Sequence, residues 1–496
     1  MQSKESYKQI IKSTSLFGGV QVIQILATLI RGKLVAIFLG TAGVGINTLY
    51  NSVVAIIVQL SSLGLNFSAV RDISQASEIH DNRIQARIIT IFKRWMYFCC
   101  ILGAILMCTG SKWISKLTFG NYNSTTAFVL LSLAVVLTIA TSSNITILQG
   151  TRRLKDMAKA SVIGSILSLL LCIPFYYYYQ ENGIIQALIT SAFSTFVVSW
   201  FFSKKINVTK TFISVADTIK SGVEMSKLGV AMMSATLIGS AVNYLINAYV
   251  SNYGSLSDVG LFGSGISITN QYVGLVFNAM AIDYFPRLSA VSSDKHKVNE
   301  MANQQAEIVL LIICPLLIAM MLTAPLLIRI LLSTNFLKLT DFVCWSAYAM
   351  LFKSAAFALG YISFAKGDKK TFFLFEGVFN SSIILISNVV GYHLGGIDGI
   401  AIAILISNII YLFNINFLVS RFYQFRLSRS LIQIFIFSTV ILTIALIISV
   451  NYSNLYGYLL GMCLFICCMM NSYKELDKRI QLKLFLSYRI KKKQAF

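Results

Sequence analysis

The chain has 496 residues, of which 56% are hydrophobic and only 12% are charged, with four prolines and a formal net charge of +22. A soluble protein of this length needs a much larger charged surface, so the composition indicates a polytopic membrane protein. A basic chain can bind nucleic acid, but here the lysines and arginines form short clusters between apolar segments. That pattern is typical of membrane topology, and we expect no nucleic-acid partner.

Apolar segments of about 20–25 residues, the length that a helix needs to cross a bilayer, recur fourteen times along the chain. They lie at 13–39, 45–67, 88–108, 125–148, 158–179, 184–203, 228–250, 259–283, 305–332, 340–364, 371–392, 397–420, 431–450 and 454–472. Lysines and arginines concentrate in every second connection, which predicts that these connections and both termini are cytoplasmic. The cysteines and histidines have no disulfide or metal-ligand spacing, so we expect no metal and no cofactor.

A weak internal repeat relates the two halves of the chain. The segment from Gly40 to Gly45 after helix 1 resembles the segment from Gly254 to Gly260 after helix 7, and two later loop pairs share the same offset of about 215 residues. A repeat of six helices predicts two parallel lobes, 1–205 and 206–425, in a V-shaped arrangement with alternating access. Helices 13 and 14 follow at 426–473, with a basic cytoplasmic tail at 474–496. Chance similarity of short loops is the alternative.

Polar residues follow one face of several predicted spans. Gln24, Thr28 and Arg31 share a face of helix 1, because residues three or four apart lie one above the other on a helix. Similar spacing occurs on helices 2, 7 and 8, through Gln59, Ser62 and Asn66, then Thr236, Ser240, Asn243 and Asn247, then Ser267, Gln271, Gly274 and Asn278. Hydrogen bonding between helices explains any single residue. Stripes on the first two helices of each half favour a shared water-filled cleft.

Charged residues inside the spans are candidates for function, because burying a charge in a bilayer is costly. Arg31 ends the polar stripe of helix 1, and Lys353 lies near the middle of helix 10. Lys33 is on the other side of helix 1 and nearer the surface, where its chain can extend to water, although the sequence leaves open which of the two cations faces the cleft. Glu376 could pair with Lys353 or carry a proton, and Asp283 could form an ion pair or anchor helix 8 at the interface.

The sequence lacks the features that several other classes of protein require. No glycine-rich phosphate loop leads into a lysine and a hydroxyl residue, so an ATPase is not expected. The connections are too short for a glycosyltransferase or polymerase domain, and we predict that the protein is not an enzyme. A purely structural role would leave the intramembrane cations unexplained. The positive charges deep in the spans also disfavour an extruder of organic cations, which needs acidic groups.

Three stretches resemble a known transporter family. The segment from Arg31 to Gly45 resembles the first hairpin of Wzx-type O-antigen and oligosaccharide flippases, in the superfamily that also holds multidrug extruders and the lipid II flippase (the MOP superfamily). The segments from Gln271 to Ser289 and from Leu331 to Lys366 resemble the eighth to tenth helices of these proteins. The similarity covers residues 10–420 and looks nearest to the lipid III flippases.

The resemblance implies a fold of about fourteen transmembrane helices and a flippase function. Such proteins move undecaprenyl-diphosphate-linked oligosaccharides of O-antigen, capsule, lipopolysaccharide or lipid III type to the outer leaflet of the bacterial inner membrane. The resemblance places the cations that hold the diphosphate at Arg31 (or Lys33) and Lys353. The glycan would contact Gln24, Thr28, Asn66, Asn243, Asn247, Gln271 and Asn278. Implied partners are membrane lipids and polysaccharide-assembly proteins, and a monomer is expected. A multidrug or ion antiporter of the same superfamily is the alternative.

Overall fold

The computed structural model describes residues 2–78, 82–206, 213–368, 371–452 and 455–480. Throughout these ranges the regular elements are helices, with no strand. The α-helices are α1 (Gln2–Ser62), α2 (Leu65–Glu78), α3 (Asn82–Phe119), α4 (Thr125–Gly150), α5 (Leu154–Tyr179), α6 (Ile184–Lys204), α7 (Val215–Tyr253), α8 (Leu256–Ala290), α9 (Lys295–Leu331), α10 (Thr340–Ala365), α11 (Asn380–Tyr423), α12 (Arg429–Asn451) and α13 (Leu455–Ile480). A π-helix at Phe372–Phe379 leads into α11.

Glycines divide the longest helices where the sequence predicts connections between spans. Helix α1 breaks at Gly40, whose φ of 64° lies in the left-handed region that favours glycine. Helix α11 breaks at Gly395 and Gly396. A short 3₁₀ turn at Gln180–Gly183 joins α5 to α6. Each break therefore separates two consecutive predicted spans that would otherwise read as one very long helix.

The predicted number of spans is confirmed. In the ranges that the structure describes, nine segments are long and apolar enough to cross a membrane. Three of these segments contain the breaks above and hold two spans each, so the nine account for twelve predicted spans. Helices α7 and α8, of 39 and 35 residues, cover the remaining two. The protein is therefore an all-α, multi-pass membrane protein. Each helix satisfies its own backbone hydrogen bonds, as a lipid environment requires.

Packing divides the chain into two compact units. Unit 1 comprises Met1–Leu261 with Leu331–Ser333, and unit 2 comprises Phe262–Ile330 with Thr334–Phe496. In unit 1, α1 packs on α5, α3 packs on α4, and α7 lies against α1, α2 and α3. In unit 2, α10 packs on α11 and α12, and α12 packs on α13. The predicted lobe boundaries at 205/206 and 425/426 stay predictions, since packing does not test which helices move together.

Close backbone contacts hold α7 and the start of α8 within unit 1. A Cβ on Gly64 would overlap the carbonyl oxygen of Gly229, and a Cβ on Gly229 would lie 2.5 Å from the carbonyl carbon of Gly64. At the second contact, a Cβ on Gly45 would lie 2.9 Å from the carbonyl carbon of Leu256, and one on Gly260 would lie 2.9 Å from the nitrogen of Gly45. The two glycines related by the predicted repeat, Gly45 and Gly260, thus contact each other directly.

Replacing Gly229 with alanine is expected to destabilise the protein, because the new methyl group would meet the backbone of Gly64 rather than a movable side chain. Overpacking of this kind costs about 1–3 kcal/mol. The melting temperature of the purified protein in detergent is the measurement. Gly239→Ala on the same helix is the control, since a Cβ there meets nothing within 4 Å. Equal melting temperatures for the two variants would contradict the assigned contact.

Candidate functional site

The guanidinium of Arg31 lies between α1, α5 and α6 in unit 1. Its Nη1 donates a hydrogen bond to the Oγ of Ser191 over 3.2 Å, and its Nη2 donates to the Oγ of Ser168. The two serine hydroxyls also bond to each other over 2.6 Å. Ser168 is fully buried, and Arg31 is half-buried. The polar stripe of helix 1 therefore ends at a cluster of one cation and two hydroxyl groups.

No carboxylate neutralises this cation among the described residues. The ion pairs that form in the described ranges all involve other arginines and lysines. Serine hydroxyls are neutral acceptors, so they satisfy individual N–H groups but leave the positive charge uncompensated. An arginine carries five N–H donors, and the two serines use only some of them. The cluster can therefore accept an anion without first breaking an ion pair.

The other predicted binding residues of unit 1 lie on helices α1, α2 and α7. Thr28 is exposed and bonds to the backbone oxygen of Gln24, which is half-buried. Asn66 accepts a hydrogen bond of 3.3 Å from the hydroxyl of Thr146. Lys33, also half-buried, forms no ion pair within the described part of the chain. None of these side chains contacts Arg31 by a hydrogen bond, so the stripe is not one network.

The asparagines of α7 form a polar pair. The amide nitrogen of Asn247 donates to the Oδ1 of Asn243 over 2.8 Å, and Asn243 is exposed while Asn247 is 1% exposed. The Oδ1 of Asn247 and the Oε1 of Gln59 are buried without a donor from the described chain. Buried carbonyl oxygens normally have a partner. These two oxygens are therefore acceptors whose donor is not among the described residues, and a buried water is a suitable donor.

In unit 2 the two predicted charges do not pair with each other. The hydroxyl of Tyr411 lies 2.9 Å and 3.1 Å from the two carboxylate oxygens of Glu376. Gly360 leaves the space for this contact, because a Cβ there would lie 3.1 Å from the Tyr411 hydroxyl. Lys353 is exposed and has no ion pair or hydrogen bond in the part of unit 2 that the structure describes. Of the two alternatives for Glu376, the ion pair with Lys353 is not formed.

Glu376 lies within the π-helix at Phe372–Phe379. π-Helices are rare, and those inside α-helices are frequently found at functional sites. The carboxylate that bonds to Tyr411 therefore belongs to an irregular helical segment. Gln271, also in unit 2, has a buried Oε1 without a donor from the described chain.

Two predicted residues cannot be placed by their side chains. Asn278 and Asp283 belong to α8, but their side chains lie outside the described residues.

In the described ranges, no group of histidine, cysteine, aspartate or glutamate residues has the arrangement of a metal site. The structure thus groups Arg31 with two serines in unit 1, and Glu376 with a tyrosine in unit 2.

Sequence reasoning missed Ser168, Ser191 and Tyr411. Each has polar neighbours three or four residues away: Ser165 for Ser168, Ser194 and Thr195 for Ser191, and Asn408 and Asn414 for Tyr411. Small hydroxyl and amide residues are also common in helix–helix packing, so this spacing did not single them out. Ser168 and Ser191 lie 137 and 160 residues from Arg31 along the chain. No local pattern carries that information.

A family model described as "Polysaccharide biosynthesis protein" matches residues 17–341, which is more than half of the chain. The chain belongs to this family. The lipid III flippases of Escherichia coli (strain K12) and Shigella flexneri are each 20% identical over 360 residues, which cover 72% of this chain and 85% of those proteins. The predicted resemblance to polysaccharide flippases is confirmed.

Solved structures share the fold of this family member at low sequence identity. The lipid II flippase MurJ, in an inward closed conformation, has a TM-score of 0.69 and 14% identity, covering 94% of this chain and 99% of that one. An inward-facing multidrug resistance MATE family transporter of the MOP superfamily has a TM-score of 0.66 and 15% identity, covering 87% and 96%. At these identities the likeness establishes the fold and leaves the transported molecule open.

Proposed function

We propose that this protein is a flippase for undecaprenyl-diphosphate-linked oligosaccharides. It carries units of O-antigen, capsule, lipopolysaccharide or lipid III type from the cytoplasmic to the periplasmic leaflet by alternating access. Membership of the polysaccharide biosynthesis family supports this proposal, as does the similarity to lipid III flippases. The shared fold of MurJ adds a second flippase of a lipid-linked substrate.

The uncompensated guanidinium of Arg31 is the observation that carries the proposal. A lipid diphosphate brings negative charge into the membrane, where lost hydration must be replaced by charge-assisted hydrogen bonds. Arginine is suited to this task because its planar N–H groups match two phosphate oxygens. Lys353 provides the proposed cation of unit 2, and it forms no ion pair among the described residues. We propose that both hold the diphosphate during the transport cycle.

Neutral polar groups are proposed to contact the glycan. Asn247 and Gln271 have side-chain oxygens without donors from the described chain, and sugar hydroxyls are suitable donors when the transport cycle uncovers these buried atoms. The proposed set also includes Gln24, Thr28, Asn66, Asn243 and Asn278. The polyprenyl tail would stay in the surrounding lipid, which removes the need for a cavity large enough to enclose it.

The cellular setting follows from the proposed substrate. We propose that the protein acts as a monomer in the bacterial inner membrane, with both termini cytoplasmic and with polysaccharide-assembly proteins as partners. The clusters of lysine and arginine in alternate connections support this orientation.

Reconstitution into liposomes tests the function directly. The purified protein is expected to move a labelled undecaprenyl-diphosphate oligosaccharide between leaflets, measured by access of a membrane-impermeant glycan-modifying reagent. Protein-free liposomes give the background. Efflux of cationic drugs without movement of the lipid-linked glycan would contradict the proposal and would place the protein with the extruders that share its fold.

Glu376 is proposed as a coupling group, because it is a carboxylate inside a predicted span with a tyrosine hydroxyl as its hydrogen-bond partner. Glu376→Gln is expected to abolish the response of glycan transport to an imposed pH gradient. Tyr411→Phe removes a hydrogen bond to a charged group, worth about 1.5–3 kcal/mol, and is expected to slow gradient-driven transport about tenfold or more. Tyr348→Phe is the control, since among the described residues its hydroxyl bonds to Thr443 and to no carboxylate. A normal gradient response in Glu376→Gln would exclude this residue from coupling.

A further inference from the structure

A cavity of about 710 Å³ opens in unit 1 where α3 and α7 end. Its lining residues come from those two helix ends and the turn after α3: Trp113, Lys116, Leu117, Gly120, Leu245, Ala248, Tyr249, Asn252 and Tyr253. The volume is in the range of about 300–1,000 Å³ that is usual for small-molecule sites. Both helix ends belong to the connections that carry few basic residues, so the cavity lies on the predicted periplasmic face.

Aromatic rings form much of the wall. The side chains of Trp113 and Tyr253 are 78% and 75% exposed. The ring of Tyr253 stacks on that of Tyr249, with centroids 4.5 Å apart and an angle of 29° between the planes. The ring of Tyr249 packs against one face of the Tyr253 ring, and the opposite face of Tyr253 is a flat exposed surface. Such surfaces bind flat apolar faces at little cost in side-chain entropy.

Polar groups are positioned beside the rings. The amide nitrogen of Asn252 donates to the backbone oxygens of Leu117 and Ala248, over 2.8 Å and 2.7 Å. These bonds fix the amide, and its Oδ1 accepts no hydrogen bond from the described chain. Gly120, with a φ of 73°, keeps this oxygen uncovered, because a Cβ there would lie 2.7 Å from it.

A cation completes the lining. The ammonium of Lys116 lies 5.8 Å from the ring centre of Tyr122 and forms no ion pair in the ranges that the structure describes. The frame around it is fixed by buried hydrogen bonds. Thr118 bonds to Tyr244 over 2.7 Å, and Ser115 bonds to the backbone oxygen of Asn121 over 2.7 Å. The cavity is therefore preorganised.

We propose that this cavity is a sugar-binding subsite that receives the glycan on the periplasmic side. This assignment rests on the proposed flippase function, which supplies the oligosaccharide. A pyranose ring presents C–H groups on its face and hydroxyls on its edge. The C–H face fits the electron-rich faces of Trp113 and Tyr253. The hydroxyl edge fits the Oδ1 of Asn252, and the carboxylate of an acidic sugar fits Lys116.

A lipid tail is a poorer occupant, since it cannot use the fixed amide oxygen or the ammonium group. Aromatic residues also gather at membrane interfaces without binding any ligand. Tyr178 near the end of α5 is such a residue: it is 76% exposed and does not line the cavity. It provides a control of equal exposure for Tyr253.

Binding of free oligosaccharides to the full-length protein in lipid nanodiscs tests the subsite. The probes are chitotetraose, which is neutral, and a hyaluronan tetrasaccharide, which carries carboxylates; neither contains lipid or diphosphate. Ligand-detected NMR titration measures the dissociation constants. We expect Trp113→Ala and Tyr253→Ala to weaken binding of both probes roughly five- to tenfold. Lys116→Gln is expected to weaken only the acidic probe, and Tyr178→Ala neither.

Two results would overturn the assignment. One is no binding of either probe to folded wild-type protein. The other is an equal loss in Tyr178→Ala and Tyr253→Ala, which would make the rings ordinary interfacial residues. The liposome assay separates this proposal from the proposed function. Glycan translocation without probe binding refutes the subsite alone, whereas probe binding without translocation refutes the flippase function alone.

Discussion

Arg31→Ala is expected to reduce translocation of the lipid-linked oligosaccharide about a hundredfold in reconstituted liposomes. The substitution removes the only cation that the described structure places among the hydroxyls of Ser168 and Ser191. A charge-assisted hydrogen bond is worth about 1.5–3 kcal/mol, so the loss of one or two of them accounts for a hundredfold lower rate. The initial rate of glycan exposure in the outer leaflet is the measurement, with monodisperse elution from a sizing column as the check on folding.

Three further variants separate the charge of Arg31 from its shape and position. Arg31→Lys keeps the charge but loses the planar donor pair, and an intermediate rate is expected. Lys33→Ala on the same helix is the matched control, with a rate near that of wild type. Lys353→Ala tests the second cation, and a clear loss is expected because nothing in the described part of unit 2 pairs with it. A normal rate in both Arg31→Ala and Lys353→Ala would make the two cations structural.

Arg479→Ala is expected to lower the free energy of unfolding by about 1.5–3 kcal/mol, the range for a lost hydrogen bond to a charged group, because the ion pair that it breaks is partly buried. The Nε of Arg479 donates to the Oε2 of Glu307 over 2.8 Å, and Glu307 is 8% exposed. Its Nη2 also donates to the hydroxyl of Ser430 over 2.8 Å. Arg479 thereby links α13 to α9 and α12. Without it, the hydrogen bond from Ser428 is the one that Glu307 keeps within the described part of the chain.

The neighbouring residue offers a matched control for this ion pair. Lys478 binds Glu475 over 2.7 Å, but its side chain is 70% exposed. Lys478→Ala is therefore expected to cost about 0–1 kcal/mol. Replacing both partners, by Glu307→Gln with Arg479→Gln, is expected to recover part of the loss, because no buried charge is then left unpaired. Thermal and denaturant unfolding in detergent measure all three; equal stability of Arg479→Ala and Lys478→Ala would contradict the buried link.

The charge pattern of the C-terminal region predicted only a basic tail from residue 474. In the structure, residues 474–480 continue α13, and one of the basic residues, Arg479, packs against Glu307. A run of lysines and arginines indicates which side of a membrane a segment occupies. It does not indicate which of them reaches a buried acid 172 residues earlier in the chain.

Sequence alone determined that this is an all-α membrane protein with fourteen spans, because apolar length and helix-breaking glycines act locally and can be counted along the chain. It also singled out Arg31 and Glu376, since any charge within a span is exceptional. Tertiary structure decided which groups these residues meet: two serines for Arg31, and Tyr411 rather than Lys353 for Glu376. It also brought Asn252 of α7 to the last turn of α3, where it bonds to the backbone oxygen of Leu117. Such contacts depend on how helices distant in the chain pack together, and neither hydropathy nor residue spacing encodes that packing.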